Sequence, residues 1–293
     1  MTHSRIVPGA LLALLIAATT PAMAAAPAKP PVKPPAKPPA QQTAVDNVLN
    51  GFVRTGEYLL MVNGKPVPAA EIYRNESLPA YLIVAPAFPN PVLLMAGSMT
   101  VETVAAPKLV RQPDGAMAVA ADAETRPQGK FKLQGDKVVF SSEGRNASLG
   151  SNPPLLGIHK SPDLKNHSPE YMVTARGYTP KPAVIAALKK EKKPVKVKVF
   201  FGSWCPHCKQ HLPYLLRVED EIRGSGTSIQ FEYYGLPKGF SNEPEAKKYN
   251  VDGVPLAIVF VNGRETGRIS GGAWESPETS LSNILAGRPV PAR

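Results

Sequence analysis

The run VKVKVFFGSWCPHCKQHLPYLLRVEDEI, residues 195–222, constrains this chain more than any other stretch. It begins with valine alternating with lysine and then turns aromatic, which is the pattern of a strand. It ends with Leu212, Leu215, Leu216 and Ile222 at helical spacing. A strand therefore passes into a helix across residues 202–209, and the only two cysteines of the 293-residue chain, Cys205 and Cys208, lie in that turn. A disulfide between them closes too small a loop to staple a fold, so the spacing asks for chemistry. A thiol at a helix N-terminus meets unpaired N–H groups and the positive end of the dipole, both of which favour the thiolate. Cys205 holds that place and is expected to be the attacking or attacked sulfur. Cys208, one turn further in, is the expected resolving thiol, and His207 adds a donor or a positive charge beside them.

The chain opens MTHSRIVPGALLALLIAATTPAMAAA, with Arg5, an apolar run over residues 10–18 and the small triplet Ala22-Met23-Ala24. This predicts a signal peptide over 1–24. The apolar run is shorter than the ~20 residues that span a bilayer, and no later segment reaches that length without proline or charge, so no transmembrane segment is expected. The reading is a periplasmic or secreted protein. In such oxidising compartments cysteines mostly form structural bridges, yet this pair has no distant partner. Residues 25–42 carry near-repeats of Lys-Pro-Pro and read as an extended polyproline spacer, which takes up part of the 33 prolines. The net charge of +11 could suit anionic partners, but in an exported protein nucleic acid is not among the expected ones.

Residues 43–166 hold short β-type segments such as EYLLMV, AYLIVAPAF, PVLLMAG and KFKLQGDKVVF, separated by turn signals at Asn63-Gly64, Pro113-Asp114-Gly115 and Gly135-Asp136. They predict a β-rich domain without cysteine. From 167 to 293 the pattern is α/β. EYMVTA reads as a strand, KPAVIAALKKEKK as a helix, and the lysines from Lys189 to Lys198 as a helix end followed by a solvated start to the next strand. Downstream, SIQFEYYGL is a strand, EPEAKKYNV a helix, and PLAIVFVNGRETGRIS a pair of strands joined at Asn262-Gly263. Ser276, Pro277 and Gly287 bracket a last helix.

These residues resemble the thioredoxin superfamily. Trp204-Cys205-Pro206-His207-Cys208-Lys209 stands at the strand-to-helix turn, Pro213 falls where thioredoxins kink the active-site helix, and KKYNVDGVPLAIVFVNGRETGRISGG is similar to the segment carrying the cis-proline. The Pro-His pair and the Val254-Pro255 dipeptide resemble exported oxidoreductases of the DsbA type. The resemblance covers residues 170–290. It implies an α/β thioredoxin-like C-terminal domain with a separate β-rich N-terminal domain, and thiol-disulfide exchange on protein cysteines without a cofactor. It further implies redox tuning by Pro206 and His207, and substrate binding by Trp204, Val254 and a cis-Pro255, with an extended peptide adding as a strand. Gly271 takes the permissive position after the last strand. Two departures stand out. The 50 residues from Cys205 to Pro255 leave no room for the DsbA helical insertion, and Val199 occupies the place where both groups tend to bury an acid.

Oxidase or isomerase direction is expected from His207, with a thioredoxin-like reductase as the alternative. Other classes stay open. Cys205, Cys208 and His211 can donate to zinc or copper, although no fourth ligand is evident nearby. Covalent haem is less expected still, since that motif needs histidine directly after the second cysteine and Lys209 stands there. The β-rich domain can instead be the main unit, a structural or surface-binding module. The layout is similar in outline to exported isomerases with an N-terminal dimerisation domain, which implies a homodimer alongside protein substrates and a redox partner.

Overall fold

The computed structural model describes residues 49–75 and 77–290. The expected signal peptide at 1–24 and the Lys/Pro-rich stretch at 25–42 lie outside the described residues.

Residues 52–151 build two antiparallel sheets. The larger orders its strands Thr125–Lys130, Thr100–Val104, Val92–Met95, Ala80–Val84, Glu71–Asn75, Phe52–Arg54, Met117–Val119 and Leu109–Arg111. The smaller orders Lys132–Gln134, Lys137–Ser142, Arg145–Ser151, Tyr58–Val62 and Lys65–Pro66. Two-residue turns at Asn63-Gly64 (φ 49° and 77°) and Glu143-Gly144 (φ 50° and 75°) have the left-handed backbone whose twist matches a hairpin. The middle strands of the larger sheet bury both faces. Ile83, Val92 and Leu94 pack with Leu60, Phe140 and Leu149 of the smaller sheet, while Leu82 and Leu93 point the other way, onto Phe52, Tyr73 and Met117. Neighbouring residues of one strand thus enter different clusters, which is why YLIV and VLLM read as unbroken apolar runs.

The α/β domain runs β1 (Gly157–His159), α1 (Ser161–His167), α2 (Glu170–Gly177), α3 (Pro182–Lys189), β2 (Val195–Phe201), α4 (Pro206–Ile222), β3 (Ile229–Gly235), α5 (Pro244–Lys248), β4 (Leu256–Val261), β5 (Arg264–Ile269) and α6 (Pro277–Leu285). Its sheet has the order β1-β3-β2-β4-β5, with β2 and β3 parallel and the other pairs antiparallel. Val197, Val199 and Phe201 of β2 face Leu212, Leu215 and Leu216 of α4. Phe200 faces the opposite side, with Leu236, Ala246 and Ile258. Both faces of β2 are therefore covered, and its C-terminal end delivers the chain to the start of α4. Among the described residues no helix is long and apolar enough to cross a membrane.

Three readings are corrected. EYMVTA forms α2, a helix rather than a strand, because Tyr171 and Ala175 are four residues apart and both bury inward from its helical face. The first strand of this sheet is instead β1, which pairs with Tyr233–Gly235 through residues 157–159, so the α/β sheet draws on chain before 167. Lys198 is not solvated. It is 5% exposed, bridges Glu232 and Glu245, and lies over the rings of Phe200, Tyr234 and Tyr249. A buried ammonium persists only with partners of this kind.

Candidate functional site

Beyond Phe201 the chain leaves the sheet through Gly202, Ser203 and Trp204, and Cys205 becomes the N-cap of α4 with extended backbone (φ −86°, ψ 123°). The Cys205 N–H donates to the Gly202 carbonyl at 2.9 Å, and the Cys205 carbonyl accepts from Lys209 N–H at 3.0 Å, closing the first helical turn. Pro206 fills the first helical position, where a missing N–H costs nothing. Gly202 is required by close packing: a Cβ there would lie 2.5 Å from the Trp204 ring, which folds back over it. The indole N–H donates to the Leu236 carbonyl at 2.8 Å and holds the ring beside the turn.

Both cysteines are free thiols. Cys205 is 6% exposed and Cys208 fully buried, whereas Pro206 and His207 face solvent. The Gly202 N–H donates to the Cys208 sulfur at 3.4 Å. Burial pushes the Cys208 thiol far above its ordinary pKa; the Gly202 donor opposes the rise and the Cys205 sulfur adds to it. Cys208 is thus held as the neutral thiol at neutral pH.

The second wall comes from the loop before β4. The Val254–Pro255 peptide bond is cis, and the Cys205 thiol donates to the Val254 carbonyl at 3.5 Å. Both residues are half-buried, so this backbone borders the reactive sulfur at the surface. The Pro255 carbonyl accepts from the indole N–H of fully buried Trp274 at 2.9 Å. The structure therefore brings together Cys205 and Cys208, with Trp204 folded beside the turn and Val254-Pro255 against the sulfur.

His211 stands apart from that group. It is half-buried, its Nδ1 lacks a hydrogen-bond partner, and its ring meets Tyr214 edge-on at 6.0 Å. Burial lowers its pKa, the charge of His207 lowers it further, and Glu275 works against both. Among the described residues no set of three or more His, Cys, Asp or Glu side chains is arranged to hold a metal ion.

Sequence reasoning missed three contributors. Tyr171 enters the cysteine cluster from α2, hidden by the strand reading of that segment. Trp274 could have been noticed as one of only two tryptophans. Lys209 carried a signal only as the residue after the motif, yet its ammonium pairs with Glu57 of the β-rich domain at 2.7 Å. That hydrogen bond holds the Glu57 carboxyl below the usual range against the opposing effect of burial. Around this bridge lies a cleft of about 550 Å³, bordered by Gly56, Asn152, Glu170 and Trp204 among others. The Gly56 N–H donates to Glu170 at 2.9 Å, and the Gly56 carbonyl accepts from the Asn152 amide at 2.9 Å.

Residues 182–286 match the thioredoxin family. Over 77 residues the chain is 34% identical to protein disulfide-isomerase A5 of Mus musculus, a stretch amounting to 26% of this chain and 14% of that relative. The Bos taurus protein of the same name matches equally, so the chain spans about one seventh of the curated relatives it resembles. Among solved structures, thioredoxin f2 of Chlamydomonas reinhardtii is 18% identical with a TM-score of 0.26, over 38% of this chain and 96% of that one. A protein disulfide oxidoreductase from Aeropyrum pernix is 21% identical with a TM-score of 0.28, over 37% of this chain and 44% of that one.

Proposed function

We propose that this chain, whose residues 182–286 form a thioredoxin domain beside a separate β-rich one, is an exported thiol-disulfide oxidoreductase acting on protein cysteines in the oxidase or isomerase direction. The observation that carries this reading is the setting of Cys205 at the N-cap of α4, 3.5 Å from the Val254 carbonyl, with Cys208 one turn inside. In the disulfide form a substrate thiolate attacks Cys205, the bond to Cys208 breaks, and Cys208 leaves with the electron pair. A second substrate thiolate then attacks the substrate sulfur of the mixed disulfide and releases Cys205. The Val254 backbone offers an extended substrate a place to pair, which makes recognition largely independent of side chains.

Export rests on the N-terminal segment, and direction on His207 at the second position of α4. The Pro-His pair between the cysteines is the sequence feature behind that reading, and a pair whose reduced form is stabilised has a disulfide that is the stronger oxidant. A redox partner then resets the pair, and the β-rich domain is proposed to join two copies of the chain. One observation favours a reductase instead. Between α4 and Pro255 the chain holds only β3, a single 3-10 turn and the five-residue α5, the economy of a plain thioredoxin.

In the full chain, Cys205→Ser abolishes exchange with a disulfide-bearing model peptide; retained exchange overturns the proposal. Equilibration with glutathione decides direction. A potential near about −120 mV supports a disulfide donor, and one near about −270 mV selects the reductase.

A further inference from the structure

The backbone that borders the reactive sulfur is thinly held. Residues 252–255 lie between Val251, whose N–H donates to the Ala246 carbonyl at 2.8 Å, and β4, whose first residue, Leu256, pairs with Phe200. Among the described residues, two hydrogen bonds reach the four positions between. One runs from the Cys205 thiol to the Val254 carbonyl at 3.5 Å, the other from the Trp274 indole N–H to the Pro255 carbonyl at 2.9 Å. The first needs a proton on the Cys205 sulfur, so it is absent whenever that sulfur is bonded to Cys208 or to a substrate. The second does not depend on the state of the cysteines. Trp274 is itself built into fixed structure: it is 1% exposed in the apolar cluster that also holds Cys205, and Val254 packs against that cluster. Its 3-10 turn, Gly271–Glu275, is tied at Ala273, whose N–H donates to the Ser270 carbonyl at 3.1 Å and whose carbonyl accepts from the Ser280 hydroxyl of α6 at 2.8 Å.

Exchange places its demand on this loop when the thiol bond is gone. In the disulfide form the Val254 carbonyl is released by the sulfur and can accept from the N–H of an extended substrate, provided that Val254 stays where the thiol had held it. We propose that Trp274 is the positioning residue for this backbone: its indole N–H fixes the Pro255 carbonyl, and through it the adjoining Val254, beside Cys205 while the sulfur is in a disulfide. A donor carried on packed, hydrogen-bonded structure sets the geometry more closely than a loop does by itself. The same bond takes up the Pro255 carbonyl, and proline has no N–H, so Val254 alone supplies the pairing groups at this point. The indole N–H bonds to neither sulfur, and its loss therefore acts on the seating of a polypeptide and not on the chemistry of the sulfurs. This inference rests on the exchange activity proposed above and on pairing at Val254.

The test uses the full-length chain in its disulfide form and compares two reductants: an extended peptide carrying two cysteines, which can pair with Val254, and dithiothreitol, which has no peptide backbone to pair. Trp274→Phe keeps an aromatic ring and removes the donor. The peptide should reduce this variant about fivefold more slowly than wild type, the worth of one hydrogen bond, while dithiothreitol reduces both at rates within about twofold. Site-specific replacement of Trp274 by 3-benzothienylalanine, in which sulfur stands where indole carries its N–H, keeps the shape of the side chain and should give the same selective loss, which a purely structural role would not do. In either variant, a peptide rate within about twofold of wild type, or an equal fall with both reductants, overturns the inference while leaving the exchange activity standing. If Trp274→Phe does not fold, the benzothienyl protein decides alone on the same readings. A wild-type disulfide that the peptide does not reduce removes the proposed activity and this inference together.

Discussion

The β-rich and thioredoxin domains bury apolar residues in different ways, and the difference locates the reactive groups. In the β-rich domain, antiparallel strands joined by tight turns pair their backbone N–H and C=O groups with one another, and alternate side chains fill two clusters on opposite faces of one sheet. Little backbone is left to act on a reacting atom. In the thioredoxin domain β2 must leave the sheet and start a helix, and the first turn of any helix has N–H groups without internal partners. Cys205 and Cys208 occupy that turn. The two cores share no residue of their buried clusters, and the described contacts across the seam include several polar ones: Glu170 with the Gly56 N–H, Arg176 with the Asp114 carbonyl, and Lys209 with Glu57.

Separate cores can be tested by truncating one at a time. Leu82→Ala and Leu216→Ala each remove a fully buried side chain, from the β-rich and thioredoxin cores respectively, and should each cost about 2–5 kcal/mol. Denaturant unfolding followed by far-UV signal and by the Trp204 and Trp274 fluorescence should show Leu216→Ala moving the fluorescence transition and Leu82→Ala mainly the other. One transition shifted equally by both variants would mean a single cooperative unit and would break the comparison.

The seam itself is sharpened by Gly56→Ala. A Cβ at Gly56 would lie 1.9 Å from the His167 carbonyl oxygen at the end of α1, so backbone must move. A cost of about 1–3 kcal/mol is expected, read as faster proteolysis between the domains with the glutathione equilibrium of the cysteines unchanged. Unaltered proteolysis would show that the close approach at Gly56 does not hold the domains together.

The smallest effect concerns the Lys209–Glu57 bridge, whose side chains are 33% and 37% exposed and so largely screened. Its hydrogen bond lowers the Glu57 pKa. The stabilisation is therefore complete above the ordinary carboxylate range and is lost as pH falls through the lowered folded value. Lys209→Met should be slightly less stable than wild type at pH 6, and the gap should be smaller at about pH 3. A gap of constant size in denaturant titrations at both pH values would remove the carboxylate from the account.

Much of this was legible because the signals are local. Proline at the first position of α4, helical spacing from Leu212 to Ile222, the Asn-Gly turns and the two cysteines each act within a few residues, and the strand–turn–helix around Cys205 follows from them. EYMVTA was ambiguous for the same reason. Over six residues an alternating pattern and an i,i+4 pair coexist, and only the surface of α4 decides that Tyr171 and Ala175 face inward together. The strand at Glu71–Asn75 is polar at its ends and gave no clear local pattern, though it lies centrally in the larger sheet.

By itself the sequence determined where a strand gives way to a helix, that two thiols sit at that boundary, and that a β-rich region precedes it. Tertiary structure alone decided what surrounds the thiols. It placed Tyr171 in their cluster, Trp274 behind Pro255, and Glu57 against Lys209 across 152 positions of chain. Local patterns arise from backbone sterics and helical or strand periodicity, which each segment carries within itself. A contact between distant residues depends on how whole elements pack, and no single segment encodes that.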